Sequence, residues 1–175
     1  MLNHIFLAFQ TEGYKWLWLA GLPRGFGMVI GILAQSWLVL ELTDVGEGGS
    51  AFWVGSAAGV MGLTILCLAP LGGWASDHFD RRWILLVLEA MIFSVSLLLA
   101  LLIVSDTIRL WHVISLAMTR GVYMALGMPA RNTLTYDLVG RETLLNATAA
   151  NFTTMSITRM VGPALAGIII SLYGV

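Results

Sequence analysis

Charged residues are scarce in this sequence. Nine Lys and Arg and ten Asp and Glu make up 11% of the 175 residues, whereas a soluble domain averages roughly 25%. Hydrophobic residues make up 58%, and the mean hydropathy is +0.86. Because a chain of this length cannot bury so much apolar side chain inside itself, the composition excludes a soluble domain and favours a lipid bilayer as solvent.

Other absences exclude further classes. The one cysteine, Cys67, lies in an apolar run and offers neither a disulfide framework nor a zinc spacing. The three histidines, His4, His78 and His112, are far apart, so we predict no metal site. A net charge of −1 with scattered arginines does not favour nucleic acid. No serine-nucleophile elbow or zinc-protease motif is present, and the glycines of 25–31 follow no strand. Neither an enzyme nor a cofactor is therefore predicted.

Five apolar segments are long enough to cross a membrane, which takes about 20 residues. They run over about 16–42, 51–74, 83–104, 108–128 and 144–173, joined by connections at 43–50, 75–82, 105–107 and 129–143. Pro23 and Arg24 are expected to break the first segment early. The alternation typical of barrel strands is missing, so these patterns predict an all-α polytopic membrane protein.

The basic residues of the connections indicate the orientation. Lys15, Arg81, Arg82, Arg131 and Arg141 fall on one side, and the other side has Arg109 with the acidic Glu41, Asp44, Glu47 and Asp106. Because short cytoplasmic loops are rich in Lys and Arg, we expect the amino terminus inside. The start of the chain has no basic region of the signal-peptide type, so no cleaved leader is expected.

Four charged residues lie well inside the predicted spans, where charge is costly and usually faces protein or water. Arg24 and Glu89 are at similar depth near the cytoplasmic side, and they either form an ion pair or have separate roles. Arg120 and Arg159 are near the middle of their spans.

Thr148, Asn151, Met155 and Arg159 share one face of the fifth span. This polar stripe suits the wall of a water-filled cavity, or a buried hydrogen-bonded seam between helices.

Pairs of small residues recur at four-residue spacing, which allows helix backbones to approach closely in lipid. They are Gly27 and Gly31, Gly55 and Gly59, Gly121 and Ala125, and Gly162 and Ala166. The pairs predict packing inside one bundle or, alternatively, a face for dimerisation.

Two motifs carry a family resemblance. The first is Gly73-Trp-Ala-Ser-Asp77-His-Phe-Asp80-Arg81-Arg82, a charged turn between the second and third spans. The second, in the fifth span, is Arg159-Met-Val-Gly162-Pro163-Ala-Leu-Ala166-Gly167. Together with 35–43, 129–134 and 138–147, they resemble the major facilitator superfamily, in its exporter branch that includes enterobactin and macrolide efflux proteins. The resemblance covers nearly the whole chain.

The resemblance implies roles for both motifs. Gly73, Asp77, Arg81 and Arg82 would form a gating loop that holds one transport state. His78 stands where the family usually has a basic residue, and Asp80 stands in place of glycine. Asp80 is expected to neutralise part of the arginine charge locally.

Gly162, Pro163 and Gly167 would form a hinge in the fifth helix, as in antiporters of the family, and we expect a bend at Pro163. Thr158 and Ala166 replace two glycines of that pattern, and this weakens the antiport inference. The arginine signature of the fourth helix is half matched, because Tyr123-Met124 replace the expected Gln-Gly after Arg120.

The function implied is secondary active efflux of a small molecule, such as a drug or siderophore, by proton antiport and alternating access in the bacterial inner membrane. Arg24, Arg120, Asn151 and Arg159 are the candidate cavity residues, and their positive charge favours anionic substrates. Glu89 is the candidate for proton coupling.

Residues 1–175 would then form an incomplete amino-terminal bundle, with five spans of a six-helix half. A missing carboxyl-terminal half would be the partner that completes the transporter. The alternative is a non-transporting membrane subunit or regulatory fragment that assembles with another membrane chain.

Overall fold

The computed structural model describes residues 11–43 and 49–173. These residues form four helices, α1 Glu12–Leu42, α2 Gly49–His78, α3 Arg81–Val104 and α4 Leu110–Tyr173. Each helix contains a stretch long and apolar enough to cross a membrane. The all-α prediction is therefore confirmed for the described part of the chain.

Most of the predicted connection at 129–143 is helical, because α4 continues through Pro129 and its interruption lies at Gly140. Residues 130–139 contain neither glycine nor proline, so nothing in them stops the helix. α4 leaves helical geometry at Gly140, where φ is 72° and ψ is 178°, a conformation that glycine takes without a steric clash. α4 thus contains both the fourth and fifth predicted spans, and the count of five spans stays a prediction.

Two other boundaries differ from the prediction. α1 runs without a break through Pro23, whose missing N–H removes only one hydrogen bond of the helix. α2 extends to His78 and α3 begins at Arg81, so only Phe79 and Asp80 connect them. Asp44 and Glu47 of the predicted first connection lie outside the described residues.

The chain divides into two compact units. The terminal unit comprises the described residues of Met1–Trp37 and Leu134–Val175, and the central unit comprises those of Leu38–Thr133.

In the terminal unit, α1 packs on a face of α4 made of small residues. The buried residues of this face are Ala147, Ala150, Thr154, Thr158, Gly162 and Ala166. A Cβ atom at Gly162 would lie 2.7 Å from Val29 Cγ1, and one at Gly25 would lie 2.9 Å from Thr158 Cγ2. The Thr154 and Thr158 hydroxyls donate to carbonyls of their own helix, so these side chains are buried with their polar groups satisfied. Gly162 therefore serves packing within the chain.

In the central unit, α2 and α4 approach each other at two glycines. A Cβ atom at Gly121 would lie 2.7 Å from Thr64 Cβ and 2.8 Å from the Met61 carbonyl oxygen. A Cβ atom at Gly72 would run into the Ala125 carbonyl group. A second contact region lies between the end of α1 and the start of α4. It is an apolar cluster whose buried members are Leu38, Val39 and Val113.

The outer surfaces of the helices are apolar. Leu66, Phe93 and Met160 are 73%, 68% and 77% exposed, respectively. In water such exposure would promote aggregation. In a bilayer the same side chains are solvated by lipid, as their position within membrane-length helices requires.

Gly72→Ala should destabilise the chain by about 1–3 kcal/mol, because the new methyl group overpacks the contact with Ala125. Gly59→Ala on the same helix is the matched control, since no described atom lies within 4 Å of a Cβ at Gly59. That change should be neutral or stabilise by up to about 1 kcal/mol. Thermal unfolding of the purified chain in detergent measures both effects. Equal midpoints for the two variants would contradict this packing.

Candidate functional site

The charged turn joins the end of α2 to the start of α3. Asp80 is the N-cap of α3, and its carboxylate accepts a hydrogen bond of 2.9 Å from the Arg82 backbone N–H. Arg81 Nε donates to the Ser76 carbonyl oxygen at 3.1 Å. A cation at the carboxyl end of α2 and an anion at the amino end of α3 both complement the helix dipoles. The turn is therefore held by local hydrogen bonds.

The four predicted gating residues lie together at this end of α2 and α3. Gly73, Asp77 and Arg82 are exposed, and Arg81 is half-buried. Asp80 was expected to neutralise arginine charge, and the structure shows that its carboxylate caps the backbone of α3. The sequence did contain a signal for this cap, because aspartate directly before a helix is a favoured N-cap residue.

Aromatic rings cover one side of the turn. The Trp74 and His78 rings stack with centroids 4.9 Å apart, and Phe79 meets Trp74 edge-on at 5.7 Å. His78 Nδ1 also lies 2.9 Å from the Trp74 carbonyl oxygen. The histidine that replaces the usual basic residue is thus bound to the last turns of its own helix.

A polar seam joins α1 and α4 in the terminal unit. The fully buried Tyr14 hydroxyl donates to the Ala147 carbonyl oxygen at 2.9 Å and lies 3.4 Å from Asn151 Oδ1. Trp18 Nε1 donates to the Ala150 carbonyl oxygen at 3.4 Å. Sequence reasoning missed both aromatic residues, because Tyr14 precedes the predicted span and Trp18 resembles an interfacial anchor.

The predicted polar stripe borders this packed face. Thr148, Asn151 and Met155 are half-buried, and Arg159 is exposed. Asn151 reaches the seam through Tyr14, whereas the exposed Arg159 lies further along α4. The assignment of the stripe to a cavity stays a prediction.

The other charged residues within the spans are divided between the units. Arg24 belongs to the terminal unit, is half-buried and has a buried Nε atom. Arg120 is half-buried in the central unit. Glu89, also in the central unit, accepts a hydrogen bond of 2.6 Å from the Tyr123 hydroxyl. An ion pair between Arg24 and Glu89 stays a prediction.

The proposed hinge lies in a continuous stretch of helix. α4 keeps helical geometry through Pro163, and its interruption lies at Gly140. Gly162 is buried against Val29, whereas Pro163 and Gly167 are exposed. The hinge itself stays a prediction.

Residues 5–175 match the family described as transmembrane secretion effectors. The chain is 28% identical over 148 residues to the Staphyloferrin A transporter of Staphylococcus aureus. It is 29% identical over 160 residues to the multidrug efflux pump Tap of Mycolicibacterium fortuitum, and 24% identical over 150 residues to Macrolide efflux protein A of Streptococcus pyogenes. No solved structure matches the chain significantly.

The three alignments cover 84%, 89% and 86% of this chain. They cover 36%, 38% and 36% of the respective relatives. The chain therefore spans little more than a third of the length of these curated relatives.

Asp80→Ala should lower the free energy of unfolding by about 1 kcal/mol, because the Arg82 N–H loses its cap. Asp80→Asn keeps an accepting oxygen and should stay close to the wild type. Asp77→Ala is the matched control for removing an exposed carboxylate from the same turn. Thermal unfolding in detergent compares the three variants. Equal losses for Asp80→Asn and Asp80→Ala would show that charge, and not the cap, is the stabilising feature.

Proposed function

The chain belongs to the transmembrane secretion effector family of the major facilitator superfamily, and we propose that it forms the amino-terminal part of a secondary active exporter of a small molecule. The observation that carries this proposal is the family match, which extends over residues 5–175. The named relatives are a siderophore transporter and efflux pumps. They support transport and do not favour a non-transporting membrane subunit.

We place the chain within a longer transporter. Its alignments reach 36–38% of the length of the relatives, as expected for part of a two-half protein. Because α4 leaves helical geometry at Gly140, it consists of two helical stretches, 110–139 and 141–173, of about 30 residues or about 45 Å each at 1.5 Å per residue. One crossing of the hydrocarbon core needs only about 30 Å. We propose that α4 crosses twice, with Gly140 at the break, which gives five spans of a six-helix half.

The substrate proposal depends on the arginines within these spans. A guanidinium group at membrane depth requires water, protein acceptors or an anionic ligand. Arg159 is exposed on α4 and follows the half-buried Asn151 by two turns. Both side chains offer hydrogen bonds to carboxylate or phenolate groups. We propose that they contact an anionic or strongly polar substrate, with Arg24 and Arg120 as further candidates.

The proposed energy source is proton antiport across the bacterial inner membrane, with the amino terminus in the cytoplasm. Glu89 lies eight residues inside α3 and is exposed on the surface of the central unit. A carboxylate in this position takes up a proton from one side and releases it to the other as access alternates.

The charged turn is the proposed gate. Local hydrogen bonds occupy Asp80 and the Arg81 Nε atom, while Asp77 and Arg82 are exposed at the same end of the helices. Exposed opposite charges can hold a closed interface with another segment and release it when the halves rock. We propose that Asp77 and Arg82 form these contacts.

Arg159→Met should reduce export at least tenfold, because the substrate loses its cationic contact. The measurement is accumulation of labelled candidate anions in cells that express the complete transporter, with membrane insertion checked by fractionation. Arg109→Met, an exposed arginine in the connection before α4, is the matched control and should export normally. Unchanged export by the Arg159 variant would refute its assignment to the cavity.

Glu89→Gln should abolish uphill export while downhill movement of substrate continues, because glutamine cannot carry the proton. Proteoliposomes with and without an imposed proton gradient separate the two activities. Glu142→Gln, an exposed glutamate just after Gly140, is the control. Uphill export by the Glu89 variant would assign proton coupling to another group.

A further inference from the structure

α3 and α4 are joined by a short hydrogen bond within the predicted membrane region. The Tyr123 hydroxyl donates to Glu89 Oε1 at 2.6 Å, a distance within the range for a hydroxyl that donates to a carboxylate oxygen. Tyr123 stands where the family resemblance leads one to expect glutamine.

The packing of Leu88 and Gly127 holds α3 and α4 together at the level of this contact. Leu88, which precedes Glu89, is 4% exposed. A Cβ atom at Gly127 would lie 3.3 Å from Leu88 Cδ1 and 3.7 Å from the Tyr123 ring. The lack of a side chain at Gly127 thus leaves room for Leu88 of α3 and for the Tyr123 ring, one turn earlier on α4. Leu88 holds α3 at this level, and Glu89 meets the phenol beside it.

Tyrosine suits both protonation states of Glu89. An ionised carboxylate only accepts hydrogen bonds, whereas a protonated carboxyl group can donate one. The phenol hydroxyl both donates and accepts, so rotation of its O–H preserves the contact when Glu89 gains or loses a proton. Lysine or arginine would fit only the ionised form. The observed phenol partner is therefore compatible with both protonation states of Glu89.

A basic residue precedes each member of this pair on its own helix. On α3 the nearest basic residue in sequence is Arg82, about two turns before Glu89, and on α4 it is Arg120, about one turn before Tyr123. Residues 49–76 of α2 contain no charged side chain. Tyr123 therefore supplies the polar contact that the described residues give to Glu89.

We infer that Tyr123 is the positioning residue of the proton-coupling group. It holds the Glu89 side chain against α4 in both protonation states, while Glu89 itself takes up and releases the proton. This inference rests on the proposed coupling role of Glu89. It adds a residue that acts through Glu89 without contacting the substrate.

Infrared difference spectroscopy of the chain in lipid vesicles tests the contact directly. The carboxyl band of Glu89 is the band that disappears in Glu89→Gln. In Tyr123→Phe this band should move to the position of a carboxyl group without a hydrogen-bond partner. Tyr136→Phe removes a hydroxyl from a 46% exposed tyrosine of the same helix and should leave the band in place. An unmoved band in Tyr123→Phe would overturn the inference.

Transport by the complete protein tests the role. Tyr123→Phe should lower uphill export about tenfold, as expected for loss of a hydrogen bond to a charged group, with downhill movement retained. Wild-type uphill export despite a shifted band would overturn the positioning role. Uphill export by Glu89→Gln would instead refute the proposed coupling function, and the infrared result would still decide whether Tyr123 binds Glu89.

Discussion

Close approach of helix backbones at small residues is the constraint on which each unit depends. Lipid surrounds these helices on their apolar outer faces, so burial of hydrophobic surface contributes little to their association. The helices must therefore associate through close van der Waals packing. Gly72 and Gly121 permit it between α2 and α4, and Gly25 and Gly162 permit it between α1 and α4. The polar contacts described above form where this packing has brought two helices together.

Those polar contacts have a common form, in which an aromatic residue supplies the donor. Tyr14 and Trp18 donate to backbone carbonyls of α4, and Tyr123 donates to Glu89 of α3. A neutral donor satisfies an acceptor in a bilayer without burying another charge. In the turn between α2 and α3, the Asp80 carboxylate caps the start of α3 and the Arg81 side chain binds a carbonyl near the end of α2, so both charges complement the helix dipoles.

Some of the candidate site could be predicted from the sequence, and some could not. The charged turn was predictable because Asp77, Arg81 and Arg82 are neighbours along the chain and must lie together at a helix junction. The partner of Glu89 was not, since Tyr123 is 34 residues away and only the packing of α3 on α4 brings it near. Tyr14 was missed for the same reason, because its acceptor is the carbonyl of Ala147, 133 residues later.

The sequence by itself determined the class of protein and the nature of its solvent. Long apolar segments without alternation can satisfy their backbone groups in lipid only as helices, and the two motifs identified the family. Only the tertiary structure decided where α4 breaks and which small residues form contacts. Gly140 interrupts the helix, whereas Pro23 and Pro129 do not. Gly72 and Gly121 meet a neighbouring helix, whereas Gly55 and Gly59 meet no described atom. All four residues are glycines within membrane-length helices, so the position of the neighbouring helix decides which of them form contacts.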